Sequence, residues 1–116
     1  MGAAWTALTY NDAAWSSGAA ELGYGDGDET TTVSYGPNIF SRYITTYFRR
    51  AFPMSNPGSV ATLKVGQRRD DGGVVYLNGT EVFRSNMPEG NISSTTRASS
   101  AVSGADETTF FERAVD

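Results

Sequence analysis

Hydrophobic and polar positions along this chain alternate more often than they recur at helical spacing. In "RYITTYFRRAF" (42–52), Tyr43, Thr45, Tyr47, Arg49 and Ala51 interleave with Ile44, Thr46, Phe48, Arg50 and Phe52, the period of two that marks a strand with one buried face. Ile44, Phe48 and Phe52 make the core-like side, so that face is expected to point inward. "VATLKVGQRR" (60–69) alternates again, and its Ala61, Leu63 and Val65 face is the one expected to be covered. "ETTTVSY" (29–35) is β-branched and reads as a strand ended by Gly36-Pro37-Asn38, and "SNPGS" (55–59) reads as a turn.

The sharpest local signal is Asn78-Gly79 between "VVYL" and "TEVF". A two-residue type I′ turn needs positive φ at both positions, and Asn and Gly tolerate it best. Pairing Leu77 with Thr80 then puts Tyr76 opposite Glu81 and Val75 opposite Val82. Both faces of this hairpin carry apolar residues, so it is expected to lie centrally in a sheet covered on both sides or nearly so. Towards the N-terminus short apolar islands are broken by turn residues, and Asp12 is placed as the N-cap of one helical turn reaching Trp15. Residues 84–109 are polar and turn-rich, and loops of that length in compact domains tend to be functional. "FFERAVD" closes the chain as a strand.

Composition supports the pattern. The 116 residues suffice for one domain with one sizeable core. Thirteen glycines, six Tyr, six Phe and the single Lys64 favour turns and strands over helices, which makes the chain all-β. The net charge of −4 with no basic run longer than two lacks the positive stripe that nucleic acids or anionic membranes require. With no His and no Cys, thiolate nucleophiles, Ser-His-Asp triads, HExxH zinc sites and the usual neutral-pH proton shuttle are all removed. No apolar run approaches the roughly 18 residues of a membrane span, and no basic region followed by an apolar segment opens the chain. Met1-Gly2-Ala3-Ala4-Trp5-Thr6 fits the myristoylation pattern and is read as a chance match.

Four segments in order, "DAAWSSGAAELGYGDGDE", "YITTYFRRAF", "RRDDGGVVYLNGTEVFRSNMPEG" and "GADETTFF", resemble β-sandwich modules of the galactose-binding-like class, carried by large secreted bacterial multidomain proteins. A similar "FRR…F" strand before a "VYLNG" hairpin occurs in the non-catalytic jelly-roll domain of family 2 glycoside hydrolases. The resemblance runs from Trp5 to Asp116. It implies an antiparallel β-sandwich of jelly-roll type, with residues 1–116 forming a single module that lacks terminal strands of the family, so that the chain is expected to be a fragment of a larger one. It also implies a secreted or cell-surface location.

Candidate chemistry falls in three places. Adjacent Asp70 and Asp71 stand beside Arg68 and Arg69, but an acid–base pair must converge on one bond and neighbours on an extended chain point apart. They are expected to hydrogen-bond the Gly72-Gly73 turn and to pair with Arg49, Arg50, Arg68 or Arg69. Asp26, Asp28 and Glu29 in "GDGDE" offer hard oxygen donors of the kind calcium takes, and modules of the resembled class often hold a structural Ca2+. Sugar binding needs exposed aromatic faces for pyranose C–H groups and polar side chains for hydroxyls. Tyr24, Tyr35 and Tyr43, with Arg84 and Asn86 on the long loop, are the ligand-binding candidates. Trp5 and Tyr47 are aromatic candidates of the same kind, and Trp15 is assigned to the core. Asn78 and Asn91 each begin a glycosylation sequon, the first explained by its turn.

Together these readings give a non-catalytic, carbohydrate-binding accessory module whose partner is a polysaccharide or glycan. A structural or assembly module that packs against neighbouring domains or a second subunit through open sheet edges is the alternative. An enzyme working with carboxylates alone ranks below both.

Overall fold

A computed structural model describes residues 2–115. Met1, which opens the myristoylation match, and Asp116, where the resemblance ends, lie outside the described residues. Among the described residues six strands are present: β1 (Leu22–Gly23), β2 (Thr31–Thr32), β3 (Leu63–Gln67), β4 (Gly73–Leu77), β5 (Thr80–Ser85) and β6 (Phe111–Val115). Three short 3-10 turns, Ala3–Thr6, Pro57–Ser59 and Gly104–Glu107, complete the regular structure, and no α-helix occurs among the described residues. The chain is thus all-β in character. Strands occupy 22% of it, so most of the backbone is held by turns and side-chain hydrogen bonds.

The Asn78-Gly79 hairpin forms as its chemistry demands. Asn78 has φ 49° and Gly79 φ 86°, the left-handed pair that a type I′ turn needs, and β4 and β5 are antiparallel with Leu77 opposite Thr80 and Tyr76 opposite Glu81. The next pair departs from expectation. Val75 faces Phe83, not Val82, because the register shifts between Val75 and Tyr76. A bulge of this kind turns the following side chains over: Phe83 and Ser85 become the buried residues, each 8% exposed, and the Ser85 hydroxyl accepts a 2.7 Å bond from Arg69 Nε.

β3 and β6 form a second antiparallel pair, from Leu63 opposite Val115 to Gln67 opposite Phe111. Leu63, Val65 and Gln67 are its more covered side, as the alternation predicts for Leu63 and Val65, although Ala61 is exposed. The Arg69 guanidinium lies 4.0 Å from the Phe111 ring centroid, close enough for a cation–π contact that fastens the β3–β4 connection to β6. β1 and β2 pair in parallel, Leu22 with Thr31 and Gly23 with Thr32. Each of the three sheets has two strands.

The segment 42–52 corrects the expected orientation. Its burial alternates as a strand's does, but Thr45, Tyr47 and Arg49 turn inward, while Ile44, Phe48 and Phe52 are 42%, 49% and 54% exposed. The cause is specific bonding on the other face. The Arg49 guanidinium donates to the carbonyls of Ala7 and Tyr10 and to the Asp12 carboxylate, and it stacks on Tyr10. Tyr47 packs edge-on against Trp5, with centroids 4.9 Å apart, and Trp5 in turn meets Tyr76 of the hairpin. Asp12 therefore serves Arg49. The one-turn reversal to Trp15, closed by the Trp15 N–H on the Asp12 carbonyl, takes its side-chain cap from Asn11, whose Oδ1 accepts the Ala13 N–H at 3.0 Å.

Candidate functional site

Three of the five ligand-binding candidates meet at one place. The parallel pairing of β1 and β2 continues in a 2.9 Å bond from the Val33 N–H to the Gly23 carbonyl, so the chain leaves both strands side by side. Tyr24 and Tyr35 follow, with ring centroids 5.5 Å apart and planes at 72°, the edge-to-face geometry that aromatic quadrupoles favour. The Tyr43 N–H then donates to the Tyr35 carbonyl at 2.9 Å, which brings the start of segment 42–52 onto the same surface. Arg42 places its guanidinium 5.6 Å from the Tyr24 ring and 5.2 Å from the Tyr35 ring. Its Nε donates to the Ile39 carbonyl at 3.2 Å.

Tyr43 lies over Gly36. A Cβ at residue 36 would come within 3.2 Å of the Tyr43 ring, and Gly36 has φ 105°, so a glycine here serves both the turn and the ring's seat. Tyr43 is 58% exposed, whereas Tyr24 and Tyr35 are half-buried. On its other side Tyr43 borders a shallow depression of about 330 Å³ that Trp15, Val33, Ser34, Thr45 and Tyr47 also line. That size falls at the lower end of small-molecule sites. The arrangement is an open, aromatic-walled surface with one cation and hydroxyl groups at hand.

Arg42 and Trp15 were not among the sequence candidates. Arg42 carried a signal, since it directly precedes Tyr43 in an alternating segment. Trp15, assigned to the core, is half-buried, packs edge-on against Tyr10 and borders the depression.

Arg84 and Asn86 commit their polar atoms to the chain itself. Arg84 forks onto Glu81, Nη2 to Oε1 at 2.6 Å and Nε to Oε2 at 3.1 Å, and Nη1 donates to the Pro88 and Gly90 carbonyls. The Glu81 bonds hold the Arg84 pKa above its ordinary value. Asn86, at φ 53°, donates to the carbonyls of Asp71 and Ser100 and accepts from the Ser100 hydroxyl. These bonds pin both ends of the long polar loop.

Asp26, Asp28 and Glu29 do gather, with one carboxylate oxygen of each within 4.8 Å of the others. Glu29 accepts the N–H groups of Asp26 and Gly27, each at 3.0 Å, and those backbone bonds, led by that of Asp26, lower its pKa. Asp28 has the Arg68 guanidinium 3.4 Å away. The donors are hard oxygens suited to calcium, on a loop whose own hydrogen bonds already shape it.

Asp70 and Asp71 differ from expectation. Neither pairs with an arginine among the described residues: Arg49 holds Asp12, and Arg68 holds Glu21 and Asp28. Nor do the carboxyls point apart. Asp70 is pushed up to about 6 by burial, then by a hydrogen bond and charge from Asp71, with lesser repulsion from Glu107 and Asp26. Asp71 Oδ1 meanwhile accepts the Val102 N–H at 2.8 Å. Asp71 thus braces the far loop, where the turn had been expected to take the doublet's bonds.

No described helix is long and apolar enough to cross a membrane. Comparison of the chain with protein-family models, curated proteins and solved structures finds no match.

Proposed function

We propose that this chain is a non-catalytic carbohydrate-binding module, an accessory unit of a secreted or cell-surface protein, built as a galactose-binding-like β-sandwich. The observation that carries the reading is the patch of Tyr24, Tyr35, Arg42 and Tyr43: a flat exposed ring beside two edge-packed rings and a guanidinium. Sugar rings present apolar C–H faces that lie on aromatic planes, with hydroxyls left for charged and hydroxyl donors. The absence of His and Cys from the sequence favours binding over catalysis. Sugar-binding surfaces of this open kind suit a polysaccharide chain better than a small ligand that must be enclosed.

The test is a glycan array followed by titration calorimetry on the best polysaccharide. Tyr43→Ala should weaken binding about tenfold, equivalent to roughly 1.4 kcal/mol, with an unchanged Tm because the ring is largely exposed. Flat responses across neutral and acidic glycans would remove the proposal.

A structural calcium ion in the Asp26, Asp28 and Glu29 loop belongs to the same reading. Millimolar CaCl2 should raise Tm relative to EDTA, as any ligand of the folded state does, and Asp26→Asn should abolish the difference. An identical Tm in both buffers would leave the loop to its own hydrogen bonds.

A further inference from the structure

Residues 44–55 make no backbone–backbone hydrogen bond among the described residues, yet from Ile44 to Arg50 burial alternates as in a strand. The outer side presents Ile44, Phe48, Phe52 and Met54, between 42% and 54% exposed. An unpaired strand edge beside an apolar face is a template for another strand. The whole molecule shows the same want of cover. Its accessible surface is 8590 Å², against about 6,100 Å² for a folded monomer of this mass, a surplus of roughly 2,500 Å². A standard interface takes about 800 Å² from each partner, and permanent homodimers bury more.

We propose that residues 44–52 pair antiparallel with the same segment of a second copy of this chain, about a two-fold axis at Phe48. Four features select a copy. The surplus area exceeds what a standard interface takes from each partner, and a two-fold arrangement lets one patch cover itself and close. With Phe48 on the axis, Ile44 falls opposite Phe52 of the copy on the outer face, so apolar meets apolar. Arg50 falls opposite Thr46, so no arginine opposes another across the ladder, where like charges would repel. Arg49, on the inner face, is already neutralised by Asp12.

The experiment is multi-angle light scattering and sedimentation on the full chain from about 1 to about 100 μM, the range in which a mid-affinity dimer forms and dissociates. The expected result is twice the chain mass of 12.4 kDa at the upper end. Phe48→Asp should raise the dissociation constant at least about 100-fold, and Thr46→Pro, which deletes one edge N–H at an exposed position, should weaken the dimer too. Because the chain has no cysteine, Phe48→Cys should give a disulfide-linked dimer under mild oxidation, a readout independent of whether Phe48→Asp folds. A single-chain mass at every concentration would overturn the proposal. So would a dimer indifferent to both substitutions, or a Phe48→Cys chain that stays monomeric when oxidised.

Discussion

Adjacent residues of one chemical type can hold opposite roles, and Asp70 and Asp71 do. Asp71 accepts the Val102 N–H, so Asp71→Ala should destabilise the fold by roughly 1–3 kcal/mol, the scale for losing a bond to a charged acceptor. Asp70 should behave in the opposite way. Its carboxyl moves from the ordinary 3.8 to about 6 in the folded chain, so the folded state keeps a proton that the unfolded state has released. Stability is therefore highest below that ordinary value and falls as the pH rises towards about 6. Asp70→Asn should raise Tm at pH 7 and flatten that fall, as thermal melts across the interval would show; a fall of the same size in the variant would assign it to other groups. The sequence singled out the doublet but not the bond Asp71 makes, because Val102 lies 31 positions away and nothing local announces that contact. The same holds for Arg49: its three acceptors in the N-terminal segment decide which face of 42–52 turns inward, and hydrophobicity alone favoured the other.

At the level of elements, legibility followed locality. The hairpin was readable because Asn78 and Gly79 determine it through their own φ preferences, and the closing strand was readable from its composition. The bulge beyond Tyr76 was not, because its driving force is the burial of Phe83 against the rest of the molecule. Gly79→Ala should cost about 1 kcal/mol, since φ 86° is strained for any residue with a Cβ, and urea melts would register it as a lower midpoint with an unchanged slope. An unaltered midpoint would mean that the turn relaxes without loss. The tyrosine patch was legible in part: Tyr24, Tyr35 and Tyr43 were singled out as aromatics, whereas their meeting depends on the parallel β1–β2 pairing, which requires a crossover that no short motif encodes.

For the whole molecule, a radius of gyration of 15.1 Å, against about 13.4 Å for a compact domain of this length, goes with the exposed apolar segment and with its proposed burial against a second copy. Sugar binding centres on Tyr24, Tyr35, Arg42 and Tyr43 and pairing of copies on Phe48, so Tyr43→Ala and Phe48→Asp test the two separately. The proposed function stands or falls on sugar binding at the tyrosine patch. The most direct measurement is an NMR titration of the uniformly labelled chain with an oligosaccharide from the best-binding polysaccharide. The account predicts that amide and ring resonances of Tyr24, Tyr35, Gly36, Arg42 and Tyr43 move together with one saturation curve, while those of Arg84 and Asn86 stay in place. Saturable shifts centred on Arg84, Asn86 and the long loop, with the tyrosines unmoved, would contradict it.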